Sequence, residues 1–102
     1  MPNMMKLMKQ AASMQKNLLK AQEELALKTV EFSSGGGMVV AVARGDGTIA
    51  SLKIDPKAID PSDAEMLQDM VLAAVDGALK AAKEMAAAEM NKLTAGMGIP
   101  GL

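Results

Sequence analysis

From Asn3 to Lys28 the sequence contains neither Gly nor Pro. Within that stretch Met4, Leu7, Ala11, Met14, Leu18, Ala21 and Leu25 recur at alternating intervals of three and four. This spacing places all seven on one stripe of an α-helix. Met5, Met8, Ala12 and Leu19 widen the stripe on one side, and Asn3 is a natural N-cap. At about 1.5 Å per residue, the helix would be roughly 36 Å long. A lone helix cannot bury such a stripe, so another helix or a sheet must cover it.

The following segment changes period. Lys28 to Phe32 alternates polar and apolar residues, with Val30 and Phe32 on one face. Ser33 to Gly37 reads as a loop. Met38 to Arg44 and Thr48 to Ile54 are β-rich runs joined by Gly45-Asp46-Gly47, the signature of a hairpin. Asp55-Pro56 stops the third strand. Asp60-Pro61 then resembles an N-cap followed by Pro at the first helical position, with Asp63 and Glu65 in the first turn. A second helix is predicted from about Pro61 to Leu93. Its stripe is Leu67, Val71, Ala74, Ala78, Ala81, Met85 and Ala88, and Gly77 marks a bend or a close contact. Thr94 to Leu102 is rich in Gly and Pro and reads as an irregular tail. The sequence thus predicts one α+β domain over residues 1–102, of order α-β-β-β-α. It has a small antiparallel three-stranded sheet and two helices longer than that sheet can cover.

Composition narrows the functions open to this fold. Half of the 102 residues are hydrophobic, but Phe32 is the one aromatic residue, and 11 are Met. A core of Ala and Met is thin and adaptable, so a symmetric dimer is expected to bury what one subunit exposes. The chain has no Cys and no His, which excludes disulfides, thiolate catalysis and His acid–base chemistry. It also removes the usual Zn and Cu ligands. No apolar run has signal-peptide or membrane-spanning length, so a cytoplasmic location off the membrane is expected.

The chemistry-bearing clusters have simple structural explanations. Gly35-Gly36-Gly37 leads into a β-rich run rather than a helix, so it reads as a turn rather than a phosphate cradle. The acids Asp60, Asp63 and Glu65 lack Ca-loop spacing and suit helix capping. No Ser has a base partner, so no catalytic residue, metal or cofactor is expected. The cluster Met4, Met5, Met8 and Met14 fits core or dimer packing, or an adaptable peptide groove.

Charge is unevenly distributed along the chain. The net charge is −1, yet residues 1–22 hold Lys6, Lys9, Lys16 and Lys20 and no acid. Residues 55–76 hold Asp55, Asp60, Asp63, Glu65, Asp69 and Asp76 against Lys57 alone. Taken alone, the four lysines read as a solvated face. As a functional face they suit phosphates, with Arg44 the residue able to grip guanine in bidentate fashion. With almost no aromatics to stack on bases, the consistent nucleic-acid mode is backbone contact with double-stranded DNA at low sequence specificity.

Several pieces in order then carry a resemblance. They are Met4-Met5-Lys6, Met8-Lys9-Gln10-Ala11, Met14-Gln15, Ala21-Gln22-Glu23-Glu24-Leu25, Ser34-Gly35-Gly36-Gly37-Met38-Val39 and Lys53-Ile54-Asp55-Pro56. Glu65-Met66-Leu67-Gln68-Asp69, Ala73-Ala74-Val75, Thr94-Ala95-Gly96-Met97 and Ile99-Pro100-Gly101 complete the set. The chain resembles the YbaB/EbfC family of bacterial nucleoid-associated proteins over nearly its whole length. The resemblance implies a tweezer-like homodimer that binds duplex DNA, coats the nucleoid and contributes to chromosome organisation or gene regulation. It also implies genes often placed beside recombination or polymerase-loading genes. DNA binding is carried onto the helical arms, where Lys6, Lys9, Lys16 and Lys20 are the candidates, with Lys92 and Arg44 as further ones. The run Met38 to Ala43 has no Lys or Thr where family hairpins often carry one, which speaks against DNA contact by the sheet. A rival reading is a protein-binding adaptor of a recombination or replication complex, its Met- and Ala-rich stripes docking partner helices.

Overall fold

The computed structural model describes residues 3–96. The order is α1 (Met4–Leu27), β1 (Thr29–Ser34), β2 (Val39–Arg44), β3 (Ile49–Ile54) and α2 (Ala64–Gly96). A glycine turn at Gly35–Gly37 and a short 3-10 turn at Pro56–Ala58 complete it. This is the expected α-β-β-β-α arrangement. The Asn3 side chain accepts a hydrogen bond from the Met5 amide at 3.0 Å, satisfying one of the donors that a helix start leaves open. Lys28 turns the chain out of α1 into β1 with extended backbone, its amide bonded to the Leu25 carbonyl.

The sheet has the order β1-β2-β3, antiparallel throughout. Its register runs from Thr29 opposite Arg44 to Ser34 opposite Val39, and from Val39 opposite Ile54 to Ala43 opposite Ile49. A bulge at Val42/Ala43 shifts the second pairing beside the hairpin. Alternation along β2 puts Val39, Ala41 and Ala43 on one face. There they meet Ala74, Ala78 and Ala82 of α2, and all six are at most 1% exposed. Small side chains on both surfaces let the helix lie close to the strand. Val39 is the largest side chain that is fully buried, so the core of one subunit is thin, as the composition implied.

Three details of α2 differ from the sequence reading. The helix begins at Ala64, not Pro61, because Asp63 is the cap: its Oδ1 accepts from the Met66 amide at 3.2 Å. Asp60 instead closes the preceding turn, accepting from the Ser62 amide and hydroxyl at 3.0 and 2.6 Å. The buried stripe passes through Ala82 rather than Ala81, and Ala88 is exposed. A straight helix of 3.6 residues per turn drifts from a seven-residue repeat by about 20° per heptad, which moves the contact line. The helix also continues through residues 94–96, where an irregular tail was expected, since no breaker occurs before Gly96. The rest of that tail, 97–102, lies outside the described residues.

The molecule measures 75 × 23 × 16 Å. α2 spans about 50 Å at 1.5 Å per residue, more than twice the length of a six-residue strand. Its N-terminal part is tied to the far end of β1, where the Ser34 hydroxyl donates to the Met70 carbonyl at 2.6 Å. Its C-terminal part leaves the sheet at the hairpin end and meets α1 around Gln22, Leu25, Ala86 and Met90. The Lys28 ammonium and Glu89 carboxylate fasten this junction at 2.7 Å. α1 continues beyond it as an arm. Along α1, Leu25 is buried and Leu18 and Ala21 are half-buried, while everything from Met4 to Asn17 is exposed.

Candidate nucleic-acid interface

The arm is built from α1, and its charge is sorted by helical geometry. At about 100° per residue, Lys6, Lys9, Lys16 and Lys20 fall within roughly an 80° sector. The stripe from Met4 to Leu25 lies nearly opposite. All four lysines are exposed. Among the described residues, the Lys28–Glu89 contact is the ion pair formed, so the arm lysines carry no acidic partner. Lys6 and Lys9 line a shallow, mixed groove in which Gln10, Ser13 and Asn17 add neutral donors beside the two ammonium groups. From Lys6 to Lys20 the row covers about 21 Å of helix. Ammonium groups on flexible stems along such a row suit a chain of phosphates rather than one fixed anion.

The structure does not bring the two further candidates into this row. Arg44 lies at the hairpin on the sheet face away from α2, and its guanidinium donates to the Thr48 hydroxyl at 3.2 Å and the Ile49 carbonyl at 3.4 Å. Asp46 sits beside it. The Thr48 hydroxyl and amide hold the Asp46 carboxyl below its ordinary range, and the Arg44 charge adds to that. Arg44 is therefore half-buried and already engaged in shaping the turn. Lys92 is exposed on α2, but Glu89 is close enough to feel its charge. The Lys28 hydrogen bond and charge are the main causes that lower the Glu89 carboxyl, with Lys92 the lesser one.

The acids gather elsewhere. Asp63, Glu65 and Asp69 line a hollow with Ser34, Gly35 and Met70 at the end of the sheet remote from the arm. This surrounding repels phosphate and bears out the reading of Gly35–Gly37 as a turn. All three glycines have positive φ, and a Cβ on Gly35 would meet the Met70 sulfur. The molecule is thus polarised along its length, cationic at the arm and anionic at the start of α2. No group of three or more candidate metal ligands occurs among the described residues, and no helix there is long and apolar enough to cross a membrane.

Sequence reading did not foresee a second uncovered surface. α2 covers β1 and β2 and barely touches β3. Leu52 and Ile49, on the helix-facing side of β3, remain 41% and 36% exposed, and Leu72 on α2 is 61% exposed. At about 100° per residue, Leu72 and Leu79 lie on the α2 flank turned away from Gly77, which touches β1. The β-rich periodicity of Thr48 to Ile54 was the available signal, but it could not show which strand the helix would leave bare.

The fold is a long-helix α-β-β-β-α subunit whose projecting arm carries a row of exposed lysines. A family model for the YbaB/EbfC DNA-binding family matches residues 1–97, and this chain belongs to that family, which is not a class of enzymes. A nucleoid-associated protein of Pelotomaculum thermopropionicum is 54% identical over 100 residues, covering 98% of this chain and 95% of the relative. One from Syntrophobacter fumaroxidans is 50% identical over 95 residues, covering 93% and 86%. Among solved structures, the protein HP0035 of Helicobacter pylori superposes with a TM-score of 0.72 at 25% identity. That match covers 95% of this chain and 98% of that one.

Proposed function

We propose that the protein is a nucleoid-associated homodimer that binds double-stranded DNA with low sequence specificity through the lysine face of α1, and so contributes to nucleoid organisation or gene regulation. The carrying observation is the row Lys6, Lys9, Lys16 and Lys20, exposed and without acidic partners on one side of a projecting helix. Lysine–phosphate contact releases condensed counterions, which makes affinity strongly salt-dependent and nearly blind to sequence. The names of the curated relatives point the same way and support a place in the cytoplasm on the nucleoid.

The dimer is supported by the uncovered apolar strip of Leu52, Ile49 and Leu72 beside the unpaired edge of β3. A two-fold partner seated there would extend a core that one subunit leaves thin. Two subunits present eight arm lysines, four from each. Arg44 and Lys92 take supporting places, since each already has a neighbour to answer. Duplex titration with a variant carrying Ala at Lys6, Lys9, Lys16 and Lys20 tests this reading: affinity for every sequence should drop alike. Proteins of recombination or replication remain a second class of partner, favoured by the exposed Met4, Met5 and Met8, and a pulldown that survives nuclease treatment would identify them.

A further inference from the structure

The free stretch of α1 presents an apolar stripe that neither the sheet nor α2 covers. Met4 is 72% exposed, Leu7 52% and Met14 36%, while α2 is seated only from Leu18 onward. Written as heptads, Met4, Leu7, Ala11 and Met14 occupy the two seam positions. The positions flanking the seam hold Met8, Gln10, Gln15, Asn17 and Gln22, all uncharged. Every lysine of the arm falls on the outer positions. In helix pairs the flanking positions choose the partner through their charges. This arm has no charge there to attract a foreign helix and none to repel its own kind. Glu23 and Glu24 follow only where α2 has already taken over the stripe.

We propose that the arm stripe docks antiparallel on the same stripe of a second copy, as a contact separate from the β3-side dimer. Antiparallel overlap centred between Leu7 and Ala11 puts Leu7 against the small Ala11 of the other copy and Met4 against its Met14. Large side chains then meet small ones, which fills a seam better than like against like. It also keeps the bodies at opposite ends of the paired arms. Two free heptads make a weak contact in isolation, because short helix pairs bury little. Arms already concentrated along DNA meet at high effective concentration, where a weak contact suffices. The lysine faces lie opposite the seam, so a paired arm turns one cationic row to each side and can hold two duplexes together. That last consequence rests on the proposed DNA binding, whereas the pairing itself does not.

The test uses the full chain, which has no cysteine of its own. Leu7→Cys and Ala11→Cys chains, distinguished by mass, are mixed and oxidised without DNA, with Lys16→Cys as an outward-facing control. The account expects the mixed Leu7→Cys/Ala11→Cys cross-link several-fold above any involving Lys16→Cys. Cross-linking no higher than the control overturns the pairing, and dominant Ala11→Cys homodimers overturn the antiparallel register. In a second experiment, the Leu7→Gln/Met14→Gln variant should bind single duplexes as wild type does but capture a second, labelled duplex on immobilised DNA several-fold less. Unchanged capture overturns the bridging role. Absence of duplex binding by wild type would strike the proposed function and leave the cross-link result standing.

Discussion

Gly77 and Phe32 meet where α2 crosses β1, so closely that a Cβ on Gly77 would collide with Cδ1, Cε1 and Cγ of the Phe32 ring. The glycine is a gap in the helix surface into which the chain's one aromatic ring fits. Gly77→Ala would gain about 1 kcal/mol of helix propensity, but it crowds the ring at a cost of about 1–3 kcal/mol. The expected result is a lower midpoint in urea denaturation, restored in part when Phe32→Leu is added. A more stable Gly77→Ala protein would show that the ring moves aside freely.

The start of α2 can be checked at two aspartates. Asp63→Ala should cost about 1 kcal/mol and speed amide exchange at Met66, because the cap is lost. Asp60→Ala should leave that amide protected, since Asp60 holds only the turn at Ser62.

Acid should loosen the hairpin and the arm junction together. Asp46 and Glu89 both titrate below their ordinary range in the folded protein, Asp46 chiefly through the Thr48 hydroxyl and Glu89 chiefly through Lys28. Depressed carboxyl pKa values mean that the folded state holds protons less readily than the unfolded one. Their stabilisation is therefore complete at neutral pH and is lost as pH falls through roughly 4 and below. Thermal melts from pH 7 to pH 3 should show this fall, and Asp46→Asn with Glu89→Gln should flatten it. Both groups are open to solvent, so the flattening will be modest.

Much of this architecture can be read from the residues themselves. The element order follows from the change of period at Lys28 and again after Pro56, and the Asn3 cap and the Gly45–Gly47 hairpin follow from local chemistry. The choice of Asp63 over Asp60 as cap was not legible, because both precede the same apolar run and only the Ser62 turn decides between them. The slip from Ala81 to Ala82 reflects the mismatch between a seven-residue repeat and a straight helix. For the site, the lysine row follows from spacing. The nearness of Glu89 to Lys92 is ordinary i, i+3 spacing on a helix, whereas the engagement of Arg44 by Thr48 depends on the hairpin geometry and the Lys28–Glu89 pair joins residues 61 apart in the sequence.

Those engagements make a graded prediction for single substitutions. Lys9→Ala or Lys16→Ala should weaken duplex binding more than Arg44→Ala or Lys92→Ala, as read by fluorescence anisotropy at low salt. Equal losses across all four would move part of the interface off the arm.

The most direct test of the lysine-arm mechanism is titration of a random labelled duplex at several salt concentrations, for wild type and for the variant with Ala at Lys6, Lys9, Lys16 and Lys20. At about 0.9 per phosphate contact, full engagement of the arms of a dimer gives a log–log slope near −7, independent of sequence. The account predicts a steep slope for wild type and a much shallower one for the variant. A wild-type slope that the four substitutions leave unchanged would contradict it.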